Sequence, residues 1–171
     1  FSNLLSGESQ KVALHNFIAA ELHPRFVYFS DYKKIYGNIN LNEYLRKEKE
    51  EREHSIEFVE EFDKAETVRN LFYLAELDIK ELDEVKGQPS KCIKLLNTAS
   101  NRLTKKLNPA WKGDPIHVDL RYNPGNIMSV VISDVHKDGT ITNTGLLNRR
   151  AEGFKWTFSV IVHFAAETQR S

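Results

Sequence analysis

Phe154-Lys155-Trp156-Thr157-Phe158-Ser159-Val160-Ile161-Val162-His163-Phe164 is the stretch whose conformation sets the architecture of the C-terminal third. Phe154, Trp156, Phe158, Val160 and Val162 alternate with Lys155, Thr157 and Ser159, the period of a half-buried strand. Phe154, Phe158, Ile161 and Ala165 also line one stripe at helical spacing. Alternation slightly favours a strand, and the residues by themselves leave both readings open.

The segment just before it is easier to read. Ile116, Val118, Leu120 and Tyr122 alternate with His117, Asp119 and Arg121, a clean half-buried strand. Asn123-Pro124-Gly125-Asn126 suits a type II turn, with proline second and glycine third. Ile127 to Ile132 is a more buried strand, Asp138-Gly139 a second turn, and Thr140-Ile141-Thr142 a short third strand. Asn143-Thr144-Gly145-Leu146-Leu147-Asn148 reads as a loop. The expectation is an antiparallel meander.

Toward the N-terminus the pattern is mostly helical. Val12, Leu14, Phe17, Ile18 and Leu22 predict a helix over residues 8–22, stopped by Pro24. Phe26-Val27-Tyr28-Phe29 reads as a strand, Tyr36-Gly37-Asn38 as a turn, and Ile39 and Leu41 as extended chain. A helix begins at Asn42, its N-cap candidate; its charged middle, Arg46 to Glu53, reads as a solvated face with i,i+4 pairs. Ile56, Val59 and Phe62 return it to a core, and a further helix covers residues 65–77 through Val68, Leu71, Phe72, Leu74 and Ala75. After Gly87-Gln88-Pro89, Ser90 starts an amphipathic helix with Ile93, Leu96, Ala99, Leu103 and Leu107 on one side, ended by Asn108-Pro109. Lys91, Lys94, Arg102, Lys105 and Lys106 occupy its other side without an acidic residue, a candidate contact for nucleic-acid phosphates.

Composition narrows the class. The 171 residues carry 24 basic and 24 acidic side chains, so net charge supplies no bulk pull toward nucleic acid or membrane. No apolar run is long enough to span a bilayer, so no membrane partner is expected. Cys92 is the single cysteine; an internal disulfide is excluded, and a reducing, cytoplasmic setting is expected. It reads as a small buried residue beside an apolar helix face. Asp134-x-His136 at a strand end reads as a polar turn, and the scattered histidines give no zinc spacing.

Arg150-Ala151-Glu152-Gly153-Phe154-Lys155-Trp156 resembles the signature motif of ABC-type ATPases of the SMC and OLD (overcoming lysogenisation defect) kind, many of which read Arg-Ser-x-Gly-Phe-x-Trp. Ala151 stands where the family usually has serine. Pro24 to Phe29, Tyr36 to Leu41, Leu74 to Asp78 and Asn108 to Trp111 are similar, in that order, to further segments of OLD-type ATPases. The resemblance implies a helix over residues 154–164, because the motif caps one, and an α+β fold. It divides the chain into residues 1–41, returning from a nucleotide lobe; 42–111, a helical insertion; and 112–171, a meander and signature helix. It further implies a parent that binds ATP and Mg²⁺, closes as a homodimer on a second ATPase protomer, and works on DNA or in phage defence. Arg150, Ala151, Glu152 and Gly153 would face the γ-phosphate held by that protomer. A Walker A loop and a Walker B strand are both missing here. The chain is therefore expected to be the middle of such an ATPase and inactive alone. A nucleic-acid-binding or protein-interaction helical module without catalysis is the rival expectation.

Overall fold

The computed structural model describes residues 34–53 and 60–170. Strand β1 (Asn38–Asn40) leads straight into helix α1 (Leu41–Glu53). Helices α2 (Glu60–Ala75), α3 (Ile79–Val85) and α4 (Pro89–Leu107) follow. Then come strands β2 (Ile116–Asn123), β3 (Ile127–Val135) and β4 (Ile141–Leu146), and helix α5 (Glu152–Arg170). Two 3-10 turns, Asn108–Ala110 and Leu147–Arg149, follow α4 and β4. The fold is α+β. The helix expected over residues 8–22, the strand at Phe26 to Phe29, Ile56, Val59 and the side chain of Phe62 lie outside the described residues.

The expected meander is present, and β3 is its centre. One edge of β3 pairs antiparallel with β2, from Ile116↔Asp134 to Asn123↔Ile127. Its other edge is shared by β1, at Asn38↔Ser129, and β4, at Val131↔Leu146. Gly125 has φ 83°, as the turn requires, and Asn126 follows it at φ 62°. Three readings change. The stretch from Asn143 to Leu146 is strand, not loop: its small polar side chains look like a loop, but the ladder to β3 is made by backbone. A register shift between Ile132 and Asp134 and a left-handed Asn143 at φ 48° accommodate it. Leu41 opens a helix and does not continue the extended chain, and the cap is Asn40, not Asn42. Its Oδ1 accepts from the Asn42 and Glu43 amides at 3.0 and 3.2 Å.

The helices follow their periodicity with two shifts, on α4 and α5, and one addition. In α1 the charged stretch is held by Arg46–Glu50 and Glu43–Lys47 pairs, as a solvated face should be. On α4, Leu96, Ala99, Leu103 and Leu107 are buried as expected, but Ile93 is 59% exposed and Cys92 takes its place. The true stripe starts at Cys92, one residue and about 100° away from Ile93 around the helix. Helix α3 has no counterpart in the sequence reading; Asp78 caps it, its Oδ1 accepting from the Lys80 amide at 2.8 Å. The conflict at residues 154–164 resolves as helix. Phe158, Val162 and Ala166 are fully buried four residues apart; Phe154, Ile161 and Ala165 of the expected helical stripe are only partly buried, and Trp156, which the strand alternation placed on the face of Phe158, stays exposed.

The free edge of β2 is covered by helix α4 in an uncommon way. Ser100 Oγ accepts from the Leu120 amide at 2.9 Å. Thr104 Oγ1 accepts from the Val118 amide at 2.9 Å and lies 3.2 Å from its carbonyl. Asn108 accepts from the Ile116 amide at 3.0 Å and donates to its carbonyl at 2.9 Å. Four residues of helix advance about 6.0 Å, and two residues of strand advance about 6.6–6.8 Å. The near match lets side chains on one helical row meet the outward-facing amides of Ile116, Val118 and Leu120 and the carbonyls of Ile116 and Val118. An edge that would otherwise invite another chain is thereby closed. Beneath it, Leu103 and Leu107 join Val118, Met128, Phe158, Leu71 and Ile39 in one core. All three segments expected from the sequence contribute to that core.

Candidate functional site

The connection from β4 to α5 places the motif. Leu147 is fully buried and anchors the 3-10 turn, whose end is closed by the Arg150 amide donating to the Leu147 carbonyl at 3.1 Å. Helix α5 then begins at Glu152, with Gly153 in its first turn. The first bond within the helix runs from the Lys155 amide to the Ala151 carbonyl at 3.1 Å. The amides of Glu152, Gly153 and Phe154 are thus the orphan donors of the helix start. Ala151 has no side-chain acceptor to cap them. Gly153 is exposed, and a β-carbon built on it would meet nothing within 4 Å. The result is an open helix N-terminus carrying the positive end of the helix dipole.

The four motif residues behave differently. Ala151 and Gly153 are exposed at this opening. Glu152 is exposed too, and its carboxylate is bound by Lys155 and lies 3.5 Å from Lys34. The Lys155 hydrogen bond holds that carboxyl below its ordinary range against desolvation, and the charge of Lys155 and then Lys34 add to it. Its negative charge is therefore largely matched at the helix start. Arg150 turns the other way. Its guanidinium donates to Asp134 Oδ2 and the Ile132 carbonyl, both at 3.0 Å, and to the Asn143 carbonyl at 2.6 Å. It also lies 5.1 Å from the Phe154 ring centroid. Burial raises the Asp134 carboxyl, but hydrogen bonds from Arg150 and Asn143, with the charges of Arg150 and His136, outweigh it and hold the group low. Arg150 brackets the loop onto β3 and β4, and its guanidinium is engaged there.

The basic side of α4 is divided in the same manner. Lys91, Lys94 and Lys105 are exposed. Arg102 and Lys106 reach Glu76 at 3.2 and 2.8 Å, so the acid missing from the helix itself is supplied by the end of α2. Hydrogen bonding and charge from Lys106, then the charge of Arg102, hold the Glu76 carboxyl low. Asp134 and His136 do not form a metal or acid–base pair. Asp134 holds Arg150, while His136 Nε2 meets Thr142 Oγ1 at 2.9 Å.

The three orphan amides and the space above Gly153 suit the oxygens of a phosphate. Among the described residues no group of three or more His, Cys, Asp or Glu side chains comes together as a metal site. No helix among them is long and apolar enough to cross a membrane. Glu76 and Lys34, which set the charge balance, carried no spacing signal in the sequence, and Asp134 was noticed only beside His136, because each acts across elements. Comparisons with protein-family models, curated proteins and solved structures return no match for this chain.

Proposed function

We propose that this chain is the middle portion of an SMC- or OLD-like, cytoplasmic ATPase and contributes the signature segment that faces ATP held with Mg²⁺ by a second protomer. In the homodimer, closure of the two nucleotide lobes would be coupled to work on DNA or in phage defence. The observation that carries the reading is the start of α5: an uncapped helix N-terminus with Gly153 exposed in its first turn and open space where a side chain would stand.

The chemistry asked of these residues is binding. ATP supplies the transferable γ-phosphate; the amides of Glu152, Gly153 and Phe154 meet its oxygens as hydrogen-bond donors, reinforced by the dipole of α5. Lys155 and Lys34 keep Glu152 from repelling that charge. Arg150 acts at one remove, by holding the loop against β3 so that the amides stay aimed outward. Ala151 lacks the hydroxyl usual at its position, which leaves the amides and dipole as the binding groups.

The test is ATP-dependent dimerisation of the full parent, followed by light scattering. Gly153→Asp is expected to abolish closure through bulk and like charge, while Ala151→Ser closes as well as wild type or better. Normal closure in Gly153→Asp removes the motif from the nucleotide site. A second reading, contact with DNA phosphates along α4, rests on Lys91, Lys94 and Lys105, which line one exposed face; Glu76 engages Arg102 and Lys106.

A further inference from the structure

The outer face of the sheet, opposite the helices, carries an open cleft of about 570 Å³ whose lining mixes polar groups with Ile127, Val131 and Leu146. It lies where β1 and β4 meet on the same edge of β3. Arg149 and Arg121 flank it, Asn38, Asn123, Ser129 and Thr144 are among its lining, and no carboxylate lines it. Arg149 sits at the end of the 3-10 turn, exposed and with no ion pair among the described residues, in contrast to its neighbour Arg150. Arg121 gives its Nε to Asp119 at 2.6 Å and leaves the outer guanidinium nitrogens available.

The hydrogen bonds on the cleft floor run in one direction. Asn123 Nδ2 donates to Ser129 Oγ at 2.7 Å, and Ser129 Oγ donates to Asn38 Oδ1 at 2.7 Å. Ser129 is nine-tenths buried, so its hydroxyl is committed to that chain. The chain ends on the exposed Asn38 amide, whose Oδ1 accepts one bond and whose Nδ2 has no partner among the described residues. The cleft therefore presents donors and positive charge: the Asn38 amide, Arg149, and part of Arg121. A ligand matching this set is an acceptor-rich anion, and planar guanidinium groups match phosphate oxygens in pairs.

We propose that this cleft binds a small phosphate-bearing molecule, at a site separate from the start of α5. Its volume is that of a small-ligand site. Arg149, with no ion pair among the described residues, and the outer nitrogens of the Asp119-paired Arg121 suit a single phosphate group, whereas a nucleic-acid track needs cations in succession along the strand.

The experiment is a titration of the whole chain with inorganic phosphate, followed by NMR at side-chain amide and arginine Nε protons. Saturable shifts are expected at Asn38 and Arg149, with Arg149→Ala weakening the apparent affinity at least tenfold and Arg149→Lys by less. Chloride at matched ionic strength should not reproduce the shifts. Because Arg149 is exposed, the rest of the Arg149→Ala spectrum is expected to overlay on wild type. Loss of dispersion there would move the test to Asn38→Asp, which turns the terminal donor into an acceptor and should abolish binding. Saturation that maps to Gly153 or to Lys91, Lys94 and Lys105, or no saturation at all, overturns the proposal. A dephosphorylated oligonucleotide binding more tightly than phosphate through the same residues overturns the small-ligand assignment. Failure at Asn38 and Arg149 leaves the α5 reading standing, since its own test is closure of the parent.

Discussion

At Gly37 a β-carbon would stand 2.7 Å from the Asn148 backbone nitrogen, whereas at Gly153 it would meet nothing within 4 Å. The two glycines lie on either side of the same turn, Leu147–Arg149, yet different constraints act on them. Gly37 is buried where the chain entering β1 passes against that turn, and its carbonyl accepts from the Val130 amide at 2.8 Å. The fold itself explains why no side chain is tolerated there. Gly153 is in a helix, where glycine is less stable than alanine by roughly 0.5–1 kcal/mol, and nothing around it in the fold repays that cost. In the function proposed above, that opening is what lets a phosphate approach the helix start.

The comparison is sharpest at Gly37. Gly37→Ala forces backbone against backbone and is expected to destabilise the chain by about 1–3 kcal/mol, the usual range for overpacking, read from urea denaturation midpoints. A neutral substitution would mean that the β1 approach is looser than the 2.7 Å contact implies. Gly153→Ala should have the opposite sign, stabilising by up to about 0.5–1 kcal/mol. A loss of stability at Gly153 would give the glycine a structural reason and weaken the case for a ligand there.

The smallest effect concerns the bracket between the two glycines. The Asp134 carboxyl is held low in the folded chain by Arg150 and Asn143 despite burial. A carboxyl depressed on folding contributes stability above its unfolded value, near 3.9, and loses that contribution as pH falls through the lower folded value. Asp134→Asn should therefore cost at most about 1 kcal/mol at neutral pH, as for a partly exposed pair. The gap from wild type should close on acidification below pH 4. A gap that stays constant between neutral and acid pH would show that the Arg150 bond does not depend on the charge of Asp134.

Much of this fold was legible because its elements announce themselves locally. The alternation of Ile116 to Tyr122, the Pro124-Gly125 turn and the apolar row from Leu96 to Leu107 each follow from the period of the backbone they occupy. The candidate site was legible only in part: Gly153 at a helix start was expected, but Arg150 was grouped with it and is engaged by Asp134 and two carbonyls instead. Arg149 closes the 3-10 turn and Arg150 after it is extended, so Arg149 reaches the outer cleft while Arg150 turns to the β3–β4 ladder.

What the sequence determined by itself, then, is the set of helices and strands whose periodic apolar faces demand burial, together with the turns that need Gly125 and Gly139 at positive φ. What only the tertiary structure decided is how competing patterns and distant groups were matched. Residues 154–164 satisfy both periods, and the choice fell to helix because Phe158, Val162 and Ala166 find the core at four-residue spacing. The pairing of Asn38–Asn40 with Ile127–Ser129, the Glu76 clamp on Arg102 and Lys106, and the seating of Ser100, Thr104 and Asn108 on the β2 edge all join residues remote along the chain or on different elements. No local period encodes them, because each depends on where two independently formed elements come to rest against each other.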